Sequence, residues 1–163
     1  MSKQYKHKLT GYLIPTVALV IICLIVTAAL AFTYGVTAPT IKKNLEAMEK
    51  QAAQEVLGDA AGVALKTQVK SYGGKLELMV GISEDGAVTG VKVLTHQDTP
   101  GLGTQPMESE YLKQYIGLTE VSAEHIKNDD NVDAVTGATI SSNAIYNGVK
   151  QALSDFEEKG GGQ

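Results

Sequence analysis

From Leu9 to Ile41 the chain carries no charged side chain. Its densest part, Leu13 to Phe32, is about 20 residues, and as a helix it would extend about 30 Å, the thickness of a bilayer's hydrocarbon core. Pro15 falls in the first turn of that stretch, where a missing N–H costs little. The rival reading is a cleaved signal peptide, because Ala29-Leu30-Ala31 mimics a cleavage site. The apolar run is longer than the roughly 7–15 residues of a usual signal core, which favours a retained single-pass anchor. We therefore expect a cytoplasmic tail at residues 1–8 and a transmembrane helix at 9–36. Orientation is nearly a tie. Lys3, Lys6 and Lys8 precede the span, and Lys42, Lys43 and Lys50 follow it. The purely basic tail tips the balance toward a cytoplasmic N-terminus.

What remains of the 163 residues suffices for one modest domain. A net charge of −4 with no long basic run argues against nucleic acid as a partner. The chain has no Trp and few aromatics, so nothing suggests a base-stacking surface. The single cysteine, Cys23, lies in the apolar run, so an internal disulfide and a Cys-rich metal or iron–sulfur site are excluded.

Pro39 and Thr40 interrupt the apolar run. Beyond them Ile41, Leu45, Met48, Ala52 and Val56 recur at helical spacing. This predicts a linker helix over 37–58, ending near Gly58. Strand patterns follow at Leu65–Tyr72, Leu76–Ile82 and Ala87–Leu94. The first ends at Gly73-Gly74, and Ser83-Glu84-Asp85-Gly86 joins the other two as a hairpin turn. His96 to Thr104 reads as a loop, since Pro100 and two glycines preclude regular structure. Glu110–Ile116 reads as a short helix and Asn128–Asn131 as a polar turn. A last helix carries Ile145, Val149, Ala152, Leu153 and Phe156 on one face, with Ser141 or Ser142 available as caps. Residues 160–163 read as a flexible Gly-rich tail. The fold class is α+β: one transmembrane helix, then a small domain at 59–159 with a mainly antiparallel sheet and flanking helices.

Residues 133–142 read Asp-Ala-Val-Thr-Gly-Ala-Thr-Ile-Ser-Ser, just where the last helix begins. The first turn of a helix presents unpaired N–H groups and the positive end of its dipole, a natural seat for a phosphate. Gly137 allows a tight turn and Ala138 keeps the approach uncluttered. Thr139 is thus a hydroxyl held beside an anion site. In an arbitrary protein the same residues more often form only a helix-capping turn.

The motif Asp133-x-x-Thr136-Gly137-Ala138-Thr139 resembles the flavinylation motif of the FMN-binding domains in bacterial Rnf and Nqr redox complexes. A second segment, Thr95-His96-Gln97-Asp98-Thr99-Pro100-Gly101-Leu102-Gly103, resembles that family's flavin loop, where Glu is frequent at the place of Asp98. The resemblance spans roughly Ser71 to Leu153. It implies that Thr139 carries FMN through a phosphoester, with Ser141 nearby. It also implies that Asp98, Thr99, Gly101, Leu102 and Gly103 lie beside the isoalloxazine ring, the glycines letting backbone amides approach it and Leu102 covering an apolar face.

A threonine hydroxyl is a weak nucleophile, and no triad that would activate it is visible in the sequence. His96 and His125 read as lone loop histidines. The resemblance implies a separate flavin transferase that uses FAD and a divalent metal. Asp129, Asp130 and Asp133 lack the alternating spacing and terminal Glu of a calcium loop and read as a solvated turn, which leaves Asp133 to the Thr139 motif. No catalytic residue and no metal ligand is assigned to this chain.

The resemblance further implies an electron carrier within an ion-translocating ferredoxin:NAD oxidoreductase of a bacterial or archaeal cell membrane. Its FMN domain would be extracytoplasmic, and its partners would be membrane lipid and other integral membrane and redox subunits. The short chain favours the G subunit of an Rnf-type complex over its Nqr counterpart. A stand-alone flavinylated cell-surface protein and a non-redox anchored adaptor remain as other readings.

Overall fold

A computed structural model describes residues 2–160. Met1 and the last three residues of the expected tail lie outside it, as do the side chains of Lys3, Lys6 and Lys8, on which the expected orientation rests. The chain forms two compact units, Met1–Glu46 and Ala47–Gln163.

The first unit belongs to helix α1 (Ser2–Leu57). Leu13, Ile14, Val17, Leu19 and the large apolar residues that follow them as far as Met48 are exposed. Among the described residues this is a single helix long and apolar enough to cross a membrane. Two of its hydroxyls are satisfied within the helix: Thr27 Oγ1 donates to the Cys23 carbonyl at 2.7 Å, and Thr33 Oγ1 donates to that of Ala29 at 2.8 Å. Such back-bonding leaves fewer polar groups in need of water. Because the helix starts at Ser2, Pro15 lies in its interior and not in its first turn, and Pro39 is interior too. Each proline removes one backbone bond and crowds the carbonyl four residues earlier. Those residues are Gly11 and Gly35, and at Gly35 a side chain would meet nothing within 4 Å.

The second unit is built on a three-stranded antiparallel sheet in the order β1 (Gly62–Lys70), β2 (Lys75–Ser83), β3 (Val88–Thr95). The hairpin between β2 and β3 closes as its Asp-Gly sequence predicts. Gly86 has φ +83°, and Ser83 N donates to the Ala87 carbonyl at 2.8 Å. β2 is buried on both faces, which is why Leu76–Ile82 reads as a nearly continuous apolar run. Leu76, Leu78, Val80 and Ile82 face helix α3 (Thr139–Glu158), whose Ile145, Val149, Ala152, Leu153 and Phe156 complete the main core. Gly148 brings α3 close to the sheet, since a Cβ there would overlap Leu78 Cδ1.

Met79 points to the other face and packs on Ala52 and Val56 at the end of α1. There Gly81 and Gly90 are direct cross-strand partners. A Cβ on Gly81 would sit 2.5 Å from the Val56 carbonyl oxygen, and one on Gly90 would sit 2.8 Å from it. That oxygen accepts a hydrogen bond from Thr89 Oγ1 at 2.6 Å. Helix backbone therefore lies directly on sheet backbone.

Beyond β3 a loop leads to short helical pieces, including α2 (Ser109–Leu112) and a 3-10 turn at Lys113–Tyr115, close to the expected helix. Another 3-10 turn covers Ile126–Asn128.

Candidate functional site

The start of α3 differs from the expected capping. Thr139 is the first helical residue, and Ala138 stands before it with no capping side chain. Ser141 and Ser142 lie inside the helix, fully buried. Ser142 Oγ instead accepts from Val135 N at 3.1 Å and donates to the Ala138 carbonyl at 3.1 Å. This side chain holds the turn ahead of the helix. Ala138 N donates to the Val135 carbonyl at 3.0 Å, and Gly137 between them has φ +87°, the left-handed region that suits glycine.

Among the described residues the first three helical amides, those of Thr139, Ile140 and Ser141, have no acceptor, and the Thr139 hydroxyl has no partner. Bare amides at the positive end of a 20-residue helix attract an anion.

The Asp98–Gly103 loop packs against this helix start. Gly101 turns it with φ +78°. Its amides are spent internally: Leu102 N and Gly103 N donate to the Thr99 carbonyl at 3.3 and 3.0 Å, and Gly101 N to Thr104 Oγ1 at 2.9 Å. The free amides beside the site therefore come from α3, and not from the loop glycines as expected. Leu102 is 52% exposed, and its Cδ1 lies 3.6 Å from where a Cβ on Gly137 would be.

Asp98 is buried behind the loop at 4% exposure. One carboxylate oxygen accepts from Gly73 N at 2.5 Å and the other from Ser71 Oγ. Burial alone would raise its pKa, but hydrogen bonds from Ser71, Ser141 and Gly73, with the charge of His96, hold the carboxyl below the ordinary range. Asp98 is thus an ionised strut that ties the β1–β2 turn to the loop.

These elements enclose a half-open cleft of about 210 Å³, lined by Tyr72, Thr99, Leu102, Gly103, Gly137, Ala138, Thr139, Ile140 and Ser141. Enclosed small-molecule sites run to about 300–1,000 Å³, so this cleft would cover part of a ligand and leave the rest open. Its rim is apolar and bare: Tyr72 is 70% exposed and Ile140 59%. Of the residues singled out in the sequence, Thr99, Leu102, Gly103, Gly137, Ala138, Thr139 and Ser141 meet here, while Asp98 is buried behind the loop and Gly101 lies on its exposed turn. Tyr72 and Ile140 were not anticipated. The sequence reads Tyr72 as the end of the first strand, whereas β1 closes at Lys70 and leaves Tyr72 in the turn that follows, and nothing local marks it.

Thr139 also borders a second cleft, with Lys127, Asp129, Asp133, Thr136 and Gly137 among its lining. The backbone of Asp133 is fixed there, its N donating to Gln114 Oε1 at 2.8 Å and its carbonyl accepting from Tyr111 Oη at 2.7 Å. Asp129 is less solvated than its sequence suggests. Tyr146 Oη donates to it at 2.6 Å, and that bond and the Asn131 amide hold its carboxyl low. Burial and the same carboxylate push the Tyr146 phenol up to about 12. His96 and His125 line neither cleft. His125 Nδ1 accepts from Lys127 N at 3.2 Å, a local structural role.

Among known families, the FMN-binding domain matches residues 71–154, from the Asp98-bound turn to the last helix. This chain belongs to the FMN-binding domain family. The matched stretch includes both sequence motifs and every residue lining the Thr139 clefts.

Several relatives are G subunits of redox complexes. That of the ion-translocating oxidoreductase complex of Shewanella piezotolerans is 38% identical over 110 residues, covering 62% of this chain and 51% of its own length. Its namesake from Methanosarcina acetivorans is 30% identical over 169 residues, covering 84% of this chain and 90% of its own. The G subunit of the proton-translocating ferredoxin:NAD(+) oxidoreductase complex of Clostridium ljungdahlii is 26% identical over 89% of this chain and 91% of its own. The chain thus spans about half of the Shewanella relative and nearly all of the other two.

Proposed function

We propose that this chain is the membrane-anchored electron carrier of an Rnf-type, ion-translocating ferredoxin:NAD oxidoreductase complex, holding FMN through a phosphoester on Thr139. The observation that carries this reading is the unbonded Thr139 hydroxyl beside three unpaired amides and an apolar cleft. The donor set suits the cofactor. The amides of Thr139, Ile140 and Ser141 offer hydrogen bonds and positive potential to a phosphate, and Leu102, Ile140 and Tyr72 offer apolar cover to a planar ring. Flavin redox chemistry belongs to the cofactor, and the protein supplies attachment, orientation and electrostatics.

Attachment falls, as the family resemblance implies, to a separate transferase with FAD as donor and a divalent metal; His96 and His125 line neither cleft beside the hydroxyl. The second cleft, with Lys127, Asp133 and Thr136, offers the transferase an exposed surface next to its target. The anchor at 9–36 sits in lipid with the N-terminus cytoplasmic, and the FMN domain lies outside. Nicotinamide, ferredoxin and ion sites reside on partner subunits.

Thr139→Ala should abolish the in-gel flavin fluorescence of denatured protein co-expressed with the transferase. Fluorescence that survives this substitution would place the flavin elsewhere.

A further inference from the structure

Asp98 sits at the meeting point of the three walls of the cleft. Its carboxylate accepts from Ser71 Oγ and from Gly73 N, the residues on either side of Tyr72. The turn is closed on itself as well, with Ser71 N donating to the Gly74 carbonyl at 2.7 Å. It is also pressed onto the loop, for a Cβ on Gly73 would overlap the Gln97 carbonyl oxygen. On the opposite side, a Cβ on Gly103 would sit 2.9 Å from Asp98 Cβ and 3.3 Å from Ser141 Oγ. One buried acid therefore registers the turn, the loop and the start of α3 against each other.

The turn that is fixed so firmly carries a side chain left 70% exposed. Tyr72 lines the same cleft as Thr139, Leu102 and Ile140. A rigid backbone under a bare aromatic ring is the arrangement expected when the ring is kept ready for a flat partner. Little conformational freedom is then lost when the two stack.

We propose that Tyr72 stacks on the isoalloxazine ring of the FMN carried by Thr139, and that Asp98 is the positioning residue that holds Tyr72 there. The proposal rests on the FMN reading above and assigns the face of the ring that the protein covers. Asp98 itself does not line the cleft. It acts through the Ser71 and Gly73 bonds.

The test uses the full, flavinylated chain in detergent, with emission expressed per covalently bound flavin. A phenol in contact with a flavin quenches its fluorescence by donating an electron to the excited ring, whereas a benzene ring does not. Tyr72→Phe and Tyr72→Leu should each raise native emission per bound flavin several-fold. Asp98→Asn keeps the shape but loses the charge, and should brighten the flavin with Tyr72 still present. The Tyr72→Leu/Asp98→Asn double variant should be no brighter than Tyr72→Leu alone. If Asp98→Asn fails to fold, Ser71→Ala removes one of the two ties and should brighten the flavin in part.

Unchanged native emission in both Tyr72 variants would remove Tyr72 from the ring. Bright Tyr72 variants beside Asp98→Asn and Ser71→Ala proteins as dim as wild type would overturn the positioning role, as would brightening that simply adds in the double variant. A wild-type chain with no fluorescent band after denaturation would overturn the Thr139 reading, and this proposal with it.

Discussion

Gly137→Ala isolates the geometry that presents Thr139. At φ +87° an alanine would be strained by roughly 1–2 kcal/mol, although its Cβ would meet only Leu102 Cδ1 at an ordinary 3.6 Å. The cost is therefore conformational and not steric. Against it stands the turn's own closing bond, Ala138 N to the Val135 carbonyl, worth about 1 kcal/mol net. The two nearly cancel or the strain wins, so between about half and five-sixths of the molecules should release the turn. The initial rate of FMN transfer should fall about two- to sixfold, and further for the β-branched Gly137→Val. The assay is the time course of the denatured in-gel flavin band with purified transferase and FAD. Gly101→Ala is the control, because it imposes similar strain at φ +78° with nothing within 4 Å, yet lies in the loop and not at the attachment turn. A wild-type loading rate in Gly137→Ala, or an equal slowing in Gly101→Ala, would refute the reasoning.

In the acid range, Asp98 and Asp129 have folded-state carboxyls held below the ordinary value of 3.8. Their stabilisation is complete above that value and drains away as pH falls through the lower folded-state values. The urea midpoint should thus drop steeply below about pH 4, and Asp98→Asn should start lower at neutral pH and show a shallower acid limb. Gly81→Ala should destabilise by about 2–4 kcal/mol through overpacking and loss of the Thr89–Val56 bond, read as a lower thermal midpoint. For topology, Glu84→Cys in a Cys23→Ser background should react with a membrane-impermeant thiol reagent in intact cells. Labelling only after lysis would reverse the orientation.

β2 was legible because a strand buried on both faces leaves a nearly unbroken apolar run, and β3 and its hairpin because alternation and Asp-Gly chemistry act locally. The Thr139 motif was legible for the same reason, with glycine, small residue and hydroxyl in one short run. Ser141 and Ser142 misled as caps, because a serine's choice between capping and facing inward depends on what the neighbouring chain offers. Here Val135 N claims Ser142. Asp98 sits inside a recognisable loop motif, but its burial depends on a turn some 25 residues earlier in the chain. Tyr72 carried no signal, since an exposed aromatic gains meaning only from the cleft that other segments build around it. Pro39 suggested a break, yet α1 runs through it. The carbonyl it crowds belongs to Gly35, whose backbone has no side chain to constrain it.

The Gly81–Gly90 pair has a mechanical consequence. Most packed interfaces are cushioned, because side chains can shift rotamer and absorb a small displacement. Where the Val56 carbonyl rests on two bare glycines there is no such padding. Bringing that helical segment any closer therefore means moving the backbone of β2 and β3 themselves. The joint is stiff because of atoms that are missing, and any side chain added there would act as a shim.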